Sequence, residues 1–309
     1  MVHGAEDLQQ LGMLLTEAVD PRFSDIDKLS VTDAAALMNE ADISVPLAVR
    51  DELPSISRAI EATVARMRSG GRLFYVGAGT AGRIGVLDAS EAPPTFGTDP
   101  GLVQALIAGG TDAITVAIEN AEDSPEAGKT AIAEAQVCEK DVVIGISSSG
   151  RTPFVLGAME QSRSIAAKTI GISCNQQTPL TTAVDLPIEV LVGGEFVSGS
   201  TRLKAGTAQK LILNMISTIT MVQLGKTYGN LMIDVRVTNE KLRERAIRIV
   251  QILTDATYLE AKSALKTCGF DVKRAVVHLK LGVDACTAET ILEEHNGSLR
   301  MALSSRPLN

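Results

Sequence analysis

Apolar positions recur along this chain with two periods. From Val49 to Met67 they fall at helical spacing, at Leu53, Ile56, Ile60, Val64 and Met67, and Ser69-Gly70-Gly71 closes that helix. "RLFYVGAG" then starts a first strand. Four more short apolar runs follow: "LVQALIAGG" (102–110), "DVVIGISSSG" (141–150), "AKTIGISCN" (167–175) and "DLPIEVLVGG" (185–194). Helical patterns fall near 80–90, 124–137, 153–165 and 204–224. Strands alternating with helices predict an α/β fold whose parallel sheet is covered on both faces. Ligands of such sheets bind beyond the carboxyl ends of the strands, so the post-strand loops are where chemistry is expected.

Residues 1–50 read as an N-terminal helical arm, with Ser30, Thr32 and Asp33 as candidate caps before "AAALMNEAD". The main domain is expected over 51–230. Past "GNLMIDVRV" the pattern changes: Thr238 and Asn239 can cap a helix carrying Leu242, Ala246, Ile249, Val250 and Leu253. Three or so short helices follow, punctuated at Gly269, Gly282 and Gly297, giving a C-terminal helical module over 236–309.

Composition narrows the function. Hydrophobic residues make up 45% of the chain, aromatics 3%, and Trp is absent, so Ala, Val, Ile and Leu do the packing, as in α/β proteins. A net charge of −8 with no basic run argues against a nucleic-acid partner. The four cysteines, Cys138, Cys174, Cys268 and Cys286, are far apart and form no CxxC, so they read as buried small hydrophobes in a reducing compartment. "MVHGAEDLQQLG" lacks a signal-peptide pattern, and "LILNMISTITMVQLG" is broken by Asn214, Ser217, Thr218 and Thr220. A cytoplasmic protein with no membrane partner is expected. His3, His278 and His295 lie in the termini and tail, away from the loops, so histidine acid–base chemistry is not expected.

Two post-strand loops stand out. Gly77, Gly79 and Gly82 form a GxGxxG, but a dinucleotide fingerprint needs an acid about 20 positions on, at the end of the next strand. The nearest, Asp99, precedes that strand. In "ISSSGRT" (146–152), Ser147, Ser148 and Ser149 precede a glycine and Thr152 at a helix start, which makes a phosphate cradle. With Gly79 and Thr80 it suggests a two-loop sugar-phosphate site. Glu91 stands before Pro93-Pro94, a pair expected to stop the helix. Glu122 lies among Glu119, Asp123 and Glu126, where the residues alone read as a solvated helix start.

The SxSGxT loop is similar to that of sugar isomerase (SIS) domains. Within that group "VGAGTAGRIGVLDASEAPPTF", "SSSGRTPFV" and "SGSTRLKAGTAQKLILNMIST" resemble the N-acetylmuramic acid 6-phosphate etherases, as do "DIDKLS" and "GNLMIDVRVTNEKL". The resemblance runs over nearly the whole chain. The glucokinase regulatory protein shares the STRLKAGTAQK-type signature but is longer, with a second SIS domain.

That resemblance implies an αβα three-layer sandwich around a five-stranded parallel sheet, a homodimer, and no metal or redox cofactor. It implies N-acetylmuramic acid (MurNAc) 6-phosphate as substrate, cleaved to N-acetylglucosamine (GlcNAc) 6-phosphate and D-lactate. By resemblance Glu91 protonates the leaving lactate and Glu122 takes the C2 proton. In "GSTRLKAG" Arg202 and Lys204 precede a long apolar helix and read either as solvated basic residues at a cap or, for Lys204, as a cation that meets the sugar or its lactyl carboxylate. The family usually has Ser where this chain has Ala81, leaving Thr80 or backbone amides to face the phosphate. It also commonly has Pro or Ala before the glutamate that here follows Gly194. A straight helix from Thr80 would carry Glu91 about 16 Å away, beyond the span of a hexose phosphate. Either that helix breaks early or a second subunit completes the site. The rival readings are a non-catalytic sugar-phosphate sensor and an aldose–ketose isomerase.

Overall fold

The computed structural model describes residues 14–235, 237 and 239–304, so His3, the opening "MVHGAEDLQQLG" and the candidate cap Thr238 lie outside the described residues. The chain divides into two compact units, one of residues up to Ser90 with Gly101–Ser217, the other of Glu91–Pro100 with the residues from Thr218 on.

In the first unit the five apolar runs form the strands β1 (Leu73–Gly77), β2 (Val103–Ile107), β3 (Val142–Ile146), β4 (Lys168–Ser173) and β5 (Leu186–Glu189). All pair in parallel, in the order β2-β1-β3-β4-β5. β1 and β3 are buried at every position, and the edge strands β2 and β5 only in part. This is the signature of a sheet covered on both faces. The helices are α1 (Val31–Asp51), α2 (Leu53–Arg68), α3 (Gly79–Phe96), α4 (Pro125–Glu134), α5 (Pro153–Ser164), α6 (Pro179–Ala183) and α7 (Lys204–Gln223). The last residues of α3 and α7 are counted with the second unit.

Two expectations need correction. The Val49–Met67 helix is two helices: α1 ends at Asp51, and α2 begins with Pro54 in its first turn, where a missing N–H leaves no bond unmade. Nor does Pro93-Pro94 stop α3, which runs on to Phe96. Proline's fixed φ lies in the helical range, and the Pro93 carbonyl still accepts the Gly97 N–H at 3.0 Å.

Alternate strand residues face opposite layers. Phe74, Val76 and Val143 join Ile132 of α4 and Phe154, Val155 and Met159 of α5 in one core. Between those two helices the backbones touch. A Cβ on Gly157 would lie 2.0 Å from the Pro125 carbonyl oxygen, and one on Gly128 equally close to that of Phe154. Gly157→Ala is therefore expected to destabilise the protein by about 3 kcal/mol, read as a lower urea midpoint. An unchanged midpoint would mean that the helices separate freely.

On the other face Tyr75, fully buried, donates its hydroxyl to Asp88 of α3 at 2.7 Å. Asn214 and Ser217 of α7 donate to the other carboxylate oxygen at 2.6 and 3.1 Å. Burial, then the Asp88 carboxylate, push the phenol well above its ordinary pKa, so it remains a donor.

The second unit holds a short antiparallel pair, β6 (Thr227–Tyr228) and β7 (Leu231–Met232), and the helices α8 (Glu240–Thr254), α9 (Tyr258–Thr267), α10 (Val272–Leu281), α11 (Ala285–Glu294) and α12 (Leu299–Ser304). Asn239 caps α8, accepting the Leu242 N–H at 2.9 Å. Gly269, Gly282 and Gly297 adopt positive φ and separate the helices that follow. Ile247, Val250, Leu265, Val276 and Ile291 centre its core.

The cysteines are all free, but only Cys174 and Cys268 are buried; Cys138 is half-buried and Cys286 exposed, on a helix face that needs no apolar side chain. Among the described residues no helix is long and apolar enough to cross a membrane.

Candidate active site

The strand order locates the site. From β1 the chain moves outward to β2, then returns across β1 to β3 and continues the other way. The loops leaving β1 and β3 therefore diverge, and a crevice opens between them at the carboxyl ends of the strands. A cavity of about 600 Å³ lies there, within the first unit. Gly79, Thr80 and Ala81 line it from the β1 loop, and Ser147, Ser148, Ser149, Arg151 and Thr152 from the β3 loop.

Each glycine of the first loop has its own task. Gly79 opens α3 at φ 51°, with nothing within 4 Å of where a Cβ would stand. Gly77 and Gly82 let strand and helix touch, since a Cβ on Gly77 would meet the Gly82 nitrogen at 2.7 Å. Ala81 lines the cavity without a hydroxyl.

The serine loop is held in shape before any ligand arrives. The buried Ser147 hydroxyl accepts the Gly150 N–H at 3.0 Å and lies 2.8 Å from the Thr152 hydroxyl. Ser149 accepts the Arg151 N–H at 3.2 Å, and Gln209 of α7 donates to the Ser148 hydroxyl at 2.9 Å. Gly150, at φ 67°, crosses so near Thr178 that a Cβ would clash at 2.3 Å. Thr152 precedes α5, whose first residue, Pro153, has no N–H to leave unpaired. Hydroxyls at a helix N-terminus suit an anion.

The expected acids are placed differently. Glu122 lines the cavity, exposed, on a one-turn helix (Ala121–Asp123) entered through Asn120 in the left-handed region at φ 60°. Ser124 then caps α4 by accepting the Ala127 N–H at 3.1 Å. Glu91 is exposed on α3, one turn past Asp88, and is counted with the second unit.

Lys204 is buried and is not among the lining residues. Its ammonium donates to the Val192 carbonyl at 2.7 Å. Buried Glu195 caps α7 by accepting the N–H groups of Lys204 and Ala205 at 2.8 and 3.0 Å. Burial pushes Lys204 below the ordinary lysine pKa range, against the attraction of Glu195. Together the pair closes the loop that brings Gly199 and Thr201 to the cavity wall.

Several lining residues carried no signal in the pattern. Thr16 and Glu17 come from "LLTEAVDPRF", Asp123 stands beside Glu122, and Arg151 sits inside the serine motif. A lone threonine or glutamate in an irregular segment has no period to betray it.

Residues 55–163 match the family described as the glucokinase regulatory protein N-terminal SIS domain, and residues 229–294 its C-terminal lid domain. The N-acetylmuramic acid 6-phosphate etherase of Streptomyces coelicolor is 52% identical over 303 residues, 98% of this chain and 97% of that one. The chain belongs to the N-acetylmuramic acid 6-phosphate etherase family. Members from Rubrobacter xylanophilus and Clostridioides difficile are 52% and 46% identical over 295 and 298 residues, each 96% of this chain and 97% and 98% of theirs. Etherase-family identity at this level spans both units, so it is not confined to the SIS-type αβα sandwich.

Proposed function

We propose that this protein cleaves the D-lactyl ether of MurNAc 6-phosphate to GlcNAc 6-phosphate and D-lactate. Near full-length identity to etherases carries this reading. The cavity is chemically suited to it. Its hydroxyl-rich loop can take the phosphate, and Glu122 stands on the same wall system.

In the open-chain sugar the C1 aldehyde acidifies the C2 proton. Glu122 takes that proton to leave an enolate, and the C3–O bond then breaks as Glu91 protonates the departing lactate oxygen. A C2–C3 double bond results. Water then adds, its oxygen to C3 and a proton to C2, so the sum is ether plus water giving alcohol plus lactate. We take the protein to act in the cytoplasm as a homodimer whose second subunit completes the site; the unbroken course of α3 past Glu91 supports that choice over an early helix break.

The test is enzymatic assay of D-lactate from MurNAc 6-phosphate and purified protein. Equimolar lactate and GlcNAc 6-phosphate are expected. Tight binding of sugar phosphates with no lactate would instead make the protein a sensor.

A further inference from the structure

The cavity has a wall that the functional reading leaves idle. Thr16 and Glu17 reach it from far away in sequence, and one asparagine holds Thr16 there. Asn175 donates to the Thr16 hydroxyl at 3.1 Å and to the Ser148 carbonyl at 2.9 Å, and its own side-chain oxygen accepts the Thr16 N–H at 3.4 Å. Thr16 and Asn175 are both buried. The amide thus sets the N-terminal segment and the serine loop in one register.

Glu17, the next residue, lines the cavity, and its backbone carbonyl accepts the Ser198 hydroxyl at 3.4 Å. Its carboxylate passes so near Gly199 that a Cβ there would stand 3.2 Å from it. Among the described residues no cation is ion-paired with Glu17, so its acceptor capacity is uncommitted. Glu17, Glu122 and Asp123 supply carboxylates to the lining, and Ser147–Thr152 supplies hydroxyls, a helix N-terminus and the cation Arg151.

These two kinds of group suit different parts of a sugar phosphate. A phosphate dianion is repelled by the carboxylates and accepted by the serine loop. Neutral hydroxyl and amide donors of the hexose suit the carboxylates, which accept short, charge-assisted bonds. We propose that Glu17 is a specificity-determining residue that accepts hydrogen bonds from the neutral donors of the hexose and so fixes which way the sugar phosphate lies. This rests on reading the cavity as the sugar-phosphate site.

The experiment compares two probes, GlcNAc 6-phosphate and inorganic phosphate, by calorimetry on the wild type, Glu17→Ala, Glu17→Gln and Ser149→Ala, each checked for an intact melting transition. Glu17→Ala is expected to weaken GlcNAc 6-phosphate about tenfold or more while leaving inorganic phosphate unchanged or tighter. Glu17→Gln, which keeps an acceptor oxygen, should fall between, and Ser149→Ala should weaken both probes. In the lactate assay Glu17→Ala should raise KM more than it lowers kcat. Equal weakening of both probes by Glu17→Ala would assign Glu17 a purely structural role, and unchanged sugar-phosphate affinity would remove it from recognition. Either result overturns the proposal. A wild type that binds GlcNAc 6-phosphate but releases no lactate overturns the etherase reading alone, and the ratio of the two affinities still decides Glu17. A wild type that binds neither probe overturns both.

Discussion

Glu122→Gln is expected to lower kcat for lactate release by about 10²–10⁴-fold, because an amide cannot accept the C2 proton. Its near-identical shape should leave the binding of GlcNAc 6-phosphate within a few-fold of the wild type, so the loss falls on kcat. Glu91→Gln is expected to cost a similar factor, for a different reason: the lactate oxygen then leaves without a proton. Exchange separates the two roles. With MurNAc 6-phosphate in D₂O, Glu91→Gln should still incorporate deuterium at C2, since the base remains and only departure is blocked. Glu122→Gln should incorporate none. Full activity in either variant would remove that residue from the chemistry, and exchange surviving only in Glu122→Gln would reverse the two assignments.

Asp88→Ala is expected to destabilise the first unit by about 3–5 kcal/mol. The carboxylate takes three hydrogen bonds, from Tyr75, Asn214 and Ser217, at 2.7, 2.6 and 3.1 Å. Tyr75 is 1% exposed and Ser217 5%, so neither hydroxyl can turn to bulk water when its acceptor is lost. A buried donor left without a partner costs more than the net worth of its bond. Asp88→Asn, which keeps the shape but turns a second donor toward its neighbours, should lose less than the alanine variant and more than nothing. Equilibrium urea unfolding at constant slope measures the loss. A midpoint unmoved by Asp88→Ala would show that the network contributes nothing to holding α3 and α7 on β1.

The strands were readable because a parallel strand buried on both faces must be an unbroken apolar run, as "LFYV" and "VVIGI" are. Helix ends were readable where chemistry is local: Ser30 accepts the Asp33 N–H at 3.2 Å, and Asn239 caps α8. Rules on proline misled in two directions. Pro54 marked a new helix inside one apolar period, where a first-turn N–H has no bond to lose, and Pro93-Pro94 failed to end another, whose backbone keeps helical φ and carries the Pro93 carbonyl to the Gly97 N–H.

The candidate site divides in the same way. The serine loop was legible as hydroxyls and a glycine before a helix start, a pattern that also suits a plain helix cap, and its hydroxyls line the cavity. Lys204, expected from "STRLKAG" to meet the sugar or its lactyl carboxylate, is buried, with its ammonium on the Val192 carbonyl and its backbone N–H on Glu195.

By itself, then, the sequence determined the elements, the glycine turn after β1, the hydroxyl loop after β3 and, through its long motifs, the family. Those follow from period and turn chemistry within a few residues of each other. Only the tertiary structure decided that β1 and β3 are neighbours, so that their loops share one crevice, and that Asn175 holds Thr16 across a separation of 159 residues, bringing Glu17 to the wall. Such contacts are chosen by how whole layers pack and by where buried polar groups find partners, and no local stretch of chain encodes that choice.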